Sequence, residues 1–162
     1  MATTYEPIAT YTASTNVTSF DFTGISGTYT DLVIVASLKN NTGAGYNLYM
    51  RFNSDSGSNY STTELYGTGS AAGSSRGSNQ TIAQAMKSDN SNFSTSVVSI
   101  QNYSNSTTYK TLIARTNPSS ATSAYVTLWR STAAITSINF SAESPSSIVA
   151  GSTFTLYGIK AA

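Results

Sequence analysis

Apolar residues recur at every second position along almost the whole chain, and this period constrains the fold more than any other feature. In "VTSFDF", Phe20 and Phe22 share a face, with Ser19 and Asp21 opposite. In "GYNLYMRFN", Tyr46, Leu48, Met50 and Phe52 point one way and Asn47, Tyr49 and Arg51 the other. "TTYKTLIART" sets Tyr109, Thr111 and Ile113 against Leu112 and Ala114, and "SAYVTLWRS" sets Ala124, Val126 and Leu128 against Tyr125, Thr127 and Trp129. In "AITSINFSA", Ile138 and Phe140 oppose Ser137 and Asn139. Side chains alternate across a strand, so a repeat of two marks half-buried β-strands, and β-branched and aromatic residues suit a pleated surface. "DLVIVASL" (31–38) is apolar on both faces and reads as a central strand.

Turn signals separate these runs: "TGISG", "KNNTGAG", "NSDSGSN", "NYSNS", "NPSS" and "ESPSS". The spacing predicts roughly eight to ten antiparallel strands and a single-domain β-sandwich of jelly-roll type over residues 1–162. One short helix candidate, "QTIAQAMKS", lies near residue 84. The Gly/Ser-rich piece "GTGSAAGSSRGSNQ" (67–80) has no pattern and predicts a projecting loop. The closing "GSTFTLYGI" alternates cleanly. Phe154 and Leu156 are expected in the core, Tyr157 and Ile159 on the opposite face, and Gly158 where another group approaches the backbone closely. A strand of this kind is expected inside a sheet.

The chain has no cysteine and no histidine. Serine and threonine make up about a third of it, and charged residues only 9%. Hydrophobic residues reach 39% with a net charge of +1, which argues for a folded, polar and nearly uncharged domain. A Ser-His-Asp or Cys-His nucleophile is therefore excluded, and a zinc site lacks its usual ligands. The eight basic residues are scattered singly, so neither nucleic acid nor a membrane surface is an expected partner. No apolar run approaches the roughly twenty residues of a membrane helix, and "MATTYEPIATY" does not read as a secretory signal. "GTGSAA" (67–72) matches G-x-G-x-x-A in letters, but more Gly and Ser follow where a helix should open. In "NSDSGSNYSTTE", Asn53, Asp55, Asn59 and Glu64 have calcium-loop spacing, but Ser58 stands where the turn glycine belongs. No catalytic, cofactor-binding or metal-binding residues are expected, and no cofactor.

Contacts with a partner remain. Trp129, Tyr125, Tyr109 and Tyr103 lie on or beside strands of the C-terminal half, and interfaces and sugar-binding surfaces are both enriched in such rings. Core packing is the competing role for each ring. Arg51, Arg115 and Arg130 sit on strands opposite apolar neighbours, facing solvent or a partner. Arg51 and Arg130 join the four rings as candidate interface or glycan contacts.

"AITSINFSAES…IVAGSTFTLYGIK" (134–160) resembles the C-terminal end of small β-rich virion proteins of tailed bacteriophages, where an Ile-x-x-Ile-x-Phe strand precedes a closing "G-S-x-F-x-L-Y-G-I". "FDFTGISGTYTDLVIVASL" (20–38) is similar to their N-terminal part through Phe20, Phe22, Ile25, Tyr29 and Leu32. Residues from about 40 to 120 carry no match. The resemblance implies a non-enzymatic virion structural protein located in the virion: a capsid decoration or cement protein, or a head fibre. Its partners would be other virion proteins of capsid or tail, and further copies of itself in a homo-oligomer. The alternative is a tail-fibre or glycan-binding module that recognises a host-surface glycan.

Overall fold

The alternation is realised as twelve strands in two sheets, every ladder antiparallel, in a computed structural model that describes residues 4–160. Met1–Thr3 and residues 161–162 of the expected domain lie outside the described residues. The strands are β1 (Tyr5–Thr12), β2 (Ser19–Phe22), β3 (Asp31–Leu38), β4 (Tyr46–Phe52), β5 (Tyr60–Gly67) and β6 (Ala72–Gln80). They continue with β7 (Ala83–Ser88), β8 (Ser94–Gln101), β9 (Lys110–Asn117), β10 (Thr122–Trp129), β11 (Ile138–Ala142) and β12 (Thr153–Ile159). No helix occurs among the described residues.

The larger sheet has eight strands in the order β1-β12-β3-β8-β9-β10-β5-β6, and the smaller has four in the order β2-β11-β4-β7. From β1 to β4 the chain changes sheet at every step. The hairpin β5–β6 and the run β8–β9–β10 stay within the larger sheet and extend it beyond the smaller one. The two sheets sandwich a core built from the inward residues of each pleat: Leu32, Ile34, Val98, Ile100, Phe154 and Leu156 above, and Phe20, Phe22, Leu48, Met50, Ile138 and Phe140 below. Phe20 stacks on Phe140 at 4.6 Å and on Tyr11 at 4.0 Å, and Phe154 tilts against Phe20 at 4.6 Å. Each such ring removes a large apolar area from water, and stacked pairs add to that burial.

β12 lies between β1 and β3, paired on both edges. Phe154 and Leu156 are fully enclosed, while Tyr157 and Ile159 face outward and are half-buried. At Gly158 the Tyr29 ring lies flat against the backbone, where a Cβ would overlap it. The glycine is there because an aromatic side chain occupies the space a larger residue would need.

Two expectations are corrected. "QTIAQAMKS" forms a strand, β7, because pairing with β4 and burial of Ala83, Ala85 and Met86 override a weak helical propensity. Residues 67–80 form a hairpin arm instead of a loop, and β6 pairs with the open edge of β5 from Tyr60↔Gln80 to Gly67↔Ala72. β6 is exposed or half-exposed along its whole length, so backbone hydrogen bonds rather than burial hold it. β3 is central, yet only one of its faces is covered: Val35, on the outer side, is 41% exposed.

Candidate docking face

Three of the four candidate rings are interior, which corrects their assignment as surface contacts. The smaller sheet ends in β7, which packs under β9, β10 and β5. That position turns Tyr125, Thr127 and Trp129 inward and leaves Ala124 and Val126 outside. The Trp129 indole N–H donates to Asp55 Oδ2 at 2.6 Å, and its ring lies 5.4 Å from Phe52. The Tyr125 hydroxyl donates to Glu64 Oε1 at 3.1 Å. The Tyr103 hydroxyl donates to the Ser26 carbonyl and accepts from the Tyr29 amide. Tyr109 is 55% exposed just ahead of β9. Arg51 and Arg130 are half-exposed and serve as internal ties. Arg51 Nε donates to the Thr81 carbonyl, and Arg130 donates to Ser61 Oγ, the Ser58 carbonyl and Asn79 Oδ1.

Polar groups are buried beside these rings beneath the sheet extension. Lys87 Nζ donates to Glu64 Oε1 at 2.5 Å, Ser123 donates to the same oxygen at 2.8 Å, and the rings of Tyr66 and Tyr125 each lie 5.9 Å from the ammonium. Burial pushes the Glu64 carboxyl up, but the hydrogen bonds from Lys87, Ser123 and Tyr125 outweigh it and hold the group below its ordinary range. Burial pushes the Tyr125 hydroxyl well up, helped by the Glu64 charge. Asp89 is held low by hydrogen bonds from Ser119 and Ser91. At Asp55 burial is outweighed by donors from Trp129, Asn59 and Gly57. This also explains the calcium-like spacing around residue 55: the Asp55 carboxylate accepts from the indole, from Asn59 and from the Gly57 amide of its own turn. A general acid needs a carboxyl pushed up toward neutrality, and these three are held in the opposite direction.

What is left open is the outer face of the larger sheet. Two cross-strand rows run over it. One passes through Tyr157, Val33, Ser99, Ile113, Val126 and Thr63, and the other through Thr155, Val35, Val97, Arg115, Ala124 and Leu65. Ile113 is 46% exposed, Val126 50% and Leu65 59%. Troughs of about 420 Å³ and 480 Å³ adjoin Arg115, the first lined by Tyr5, Val33, Val97 and Ile113, the second by Leu65, Tyr66, Gly73 and Thr122.

Arg115 is exposed at the middle of this face. Among the described residues it is the one cation of eight whose charged group has no hydrogen bond, ion pair or ring contact. Lys39, Arg51, Arg76, Lys87, Lys110, Arg130 and Lys160 all bond within the chain. The sequence signal for this face was the two-sided apolarity of "DLVIVASL"; a central strand needs only one apolar face when the other meets water. Compared with family models and with curated proteins, the chain matches none.

Proposed function

We propose that the chain is a non-enzymatic virion structural protein of a tailed bacteriophage, of the capsid decoration or head-fibre kind, which works through surface contacts. The observation that carries this reading is the open outer face of the larger sheet: branched apolar side chains with an unpartnered arginine among them, on a molecule whose interior is otherwise closed. Monomeric proteins rarely expose a broad apolar patch without using it. The resemblance of residues 134–160 and 20–38 to phage virion proteins supplies the setting. The strand order supports a jelly-roll reading as well, since β1-β12-β3-β8 over β2-β11-β4-β7 is the order of a rolled-up antiparallel hairpin, with β5–β6 and β9–β10 as additions. The glycan-binding alternative has less support, because the ring row it needs from Trp129, Tyr125 and Tyr103 lies inside. The test is mass spectrometry of purified virions after heads and tails are separated. The protein is expected in the head fraction at many copies per particle. Recovery with tails would favour the tail-fibre reading, and absence from both would end the proposal.

A further inference from the structure

We infer that the outer face of the larger sheet docks a segment of another protein that presents one carboxylate between apolar side chains, the carboxylate pairing with Arg115. The inference rests on the proposed function for where the partner is found, but its chemistry comes from the face itself.

Arg115 is flanked across the ladder by Val97 on β8 and Ala124 on β10, and Ile113 and Val126 lie in the next row. A guanidinium placed among aliphatic groups gains most from a bidentate carboxylate, because the surrounding hydrocarbon excludes competing water once a partner covers it. Such an arginine, with Val97, Ala124, Ile113 and Val126 on one side and Thr95, Asn117 and Thr122 on the other, has the make-up of an interface hot spot at the edge of an apolar patch. The rings on this face, Tyr5 and Tyr157, meet edge to face at 6.4 Å at its β1–β12 end, away from Arg115, and a lone cation is too little for nucleic acid.

A second copy fits less well. The chain has seven acids, and every one already accepts a hydrogen bond from its own residues. On this face the carboxylate a second copy would bring is Asp31, at the end of β3, which accepts the Asn102 amide at 2.6 Å. Asp31 stands at the end of its strand rather than between apolar side chains, which favours a different chain as the source of the acid.

The probe is the peptide acetyl-Val-Leu-Asp-Leu-Val-amide, titrated into isotope-labelled protein and followed by NMR, beside the same peptide with Asn for Asp. Saturable shifts are expected at Val97, Ile113, Arg115, Ala124 and Val126, with about tenfold weaker binding of the Asn peptide. Arg115→Glu should keep the wild-type melting temperature, because the side chain is exposed and unbonded. It should also reverse the preference, favouring a Lys-bearing peptide over the Asp one. Equal binding of Asp and Asn peptides, or no shifts on this face, would overturn the inference. So would concentration-dependent dimerisation of the free protein that Arg115→Glu abolishes, since the occupant would then be a second copy. In virions, normal incorporation of wild type with loss of Arg115→Glu supports the docking face. Equal incorporation of both removes it while leaving the virion reading intact.

Discussion

Where the two sheets overlap, the interior is hydrocarbon and aromatic; beneath the extension of the larger sheet, Tyr60, Tyr125 and Trp129 share it with buried hydroxyls and one ion pair. At the overlap Phe20, Phe22, Phe140 and Phe154 interlock with Leu32, Ile34 and Leu156, and no polar side chain is needed. Under the extension β7 is an edge strand, with β4 on one side only. Its free amides and carbonyls meet threonines of the sheet above. Thr116 bonds both the amide and the carbonyl of Lys87, Thr127 donates to the Gln84 carbonyl at 3.0 Å, and Thr62 in turn bonds Thr127 at 2.8 Å. The difference shows how an enlarged sheet can roof a smaller one. Buried backbone groups of an unpaired edge must find partners, and β-branched hydroxyl residues provide them while still favouring the strand.

The largest expected effect lies at the overlap. Truncation after Ala150 removes β12 and opens the facing edges of β1 and β3 together. No soluble folded protein should survive size-exclusion, and a well-folded monomer would show that β12 is dispensable. Phe140→Ala should cost about 3–5 kcal/mol in urea unfolding, because a fully enclosed ring leaves a cavity among other rings. A loss under about 1 kcal/mol would mean that the overlap is less tightly packed than described.

Effects under the extension should be smaller and depend on partners. Lys87→Met leaves Glu64 ionised without its cation and should cost about 2 kcal/mol, below the full penalty of a buried pair because some 18% of the lysine side chain remains exposed. Adding Glu64→Leu should recover most of that loss; a double variant no better than the single would argue against the pair as the cause. Glu64, Asp55 and Asp89 all titrate lower in the folded protein than in the unfolded chain. Their stabilisation is therefore present above the unfolded values near 4 and is lost as pH falls through the lower folded values. Melting temperature should decline below about pH 4, and Glu64→Gln should decline less steeply. The smallest change is expected at β6, where Ser74→Ala touches nothing buried and should stay within about 0.5 kcal/mol. A larger loss would reveal a covering partner for this arm.

Much of the architecture was legible in the alternation, because a period of two states which residues share a face. It does not state which face turns inward. In β10 both sets contain apolar residues, and only the position of β7 below decides for Tyr125 and Trp129 over Val126. β6 was illegible for a different reason. Its residues carry no strand preference, and the hydrogen-bonding edge of β5 recruits them. Arg115 stood out in the chain only as one arginine of several. Its interest arises from what surrounds it in the folded sheet, where Val97 and Ala124 come from strands well separated in sequence.

The insertion of β12 between β1 and β3 sets a timetable for synthesis. Tyr5 cannot meet Ile159, nor Val33 meet Tyr157, until the last of these residues has been made. At ordinary translation rates β1 and β3 wait on the order of ten seconds with a vacant slot between them. During that interval the composition of the nascent chain matters. A Ser/Thr-rich alternating sequence with few long apolar runs is well suited to remaining soluble while it waits. Folding dominated by such distant pairings is also expected to be slow after release, in the range of milliseconds to seconds for all-β domains.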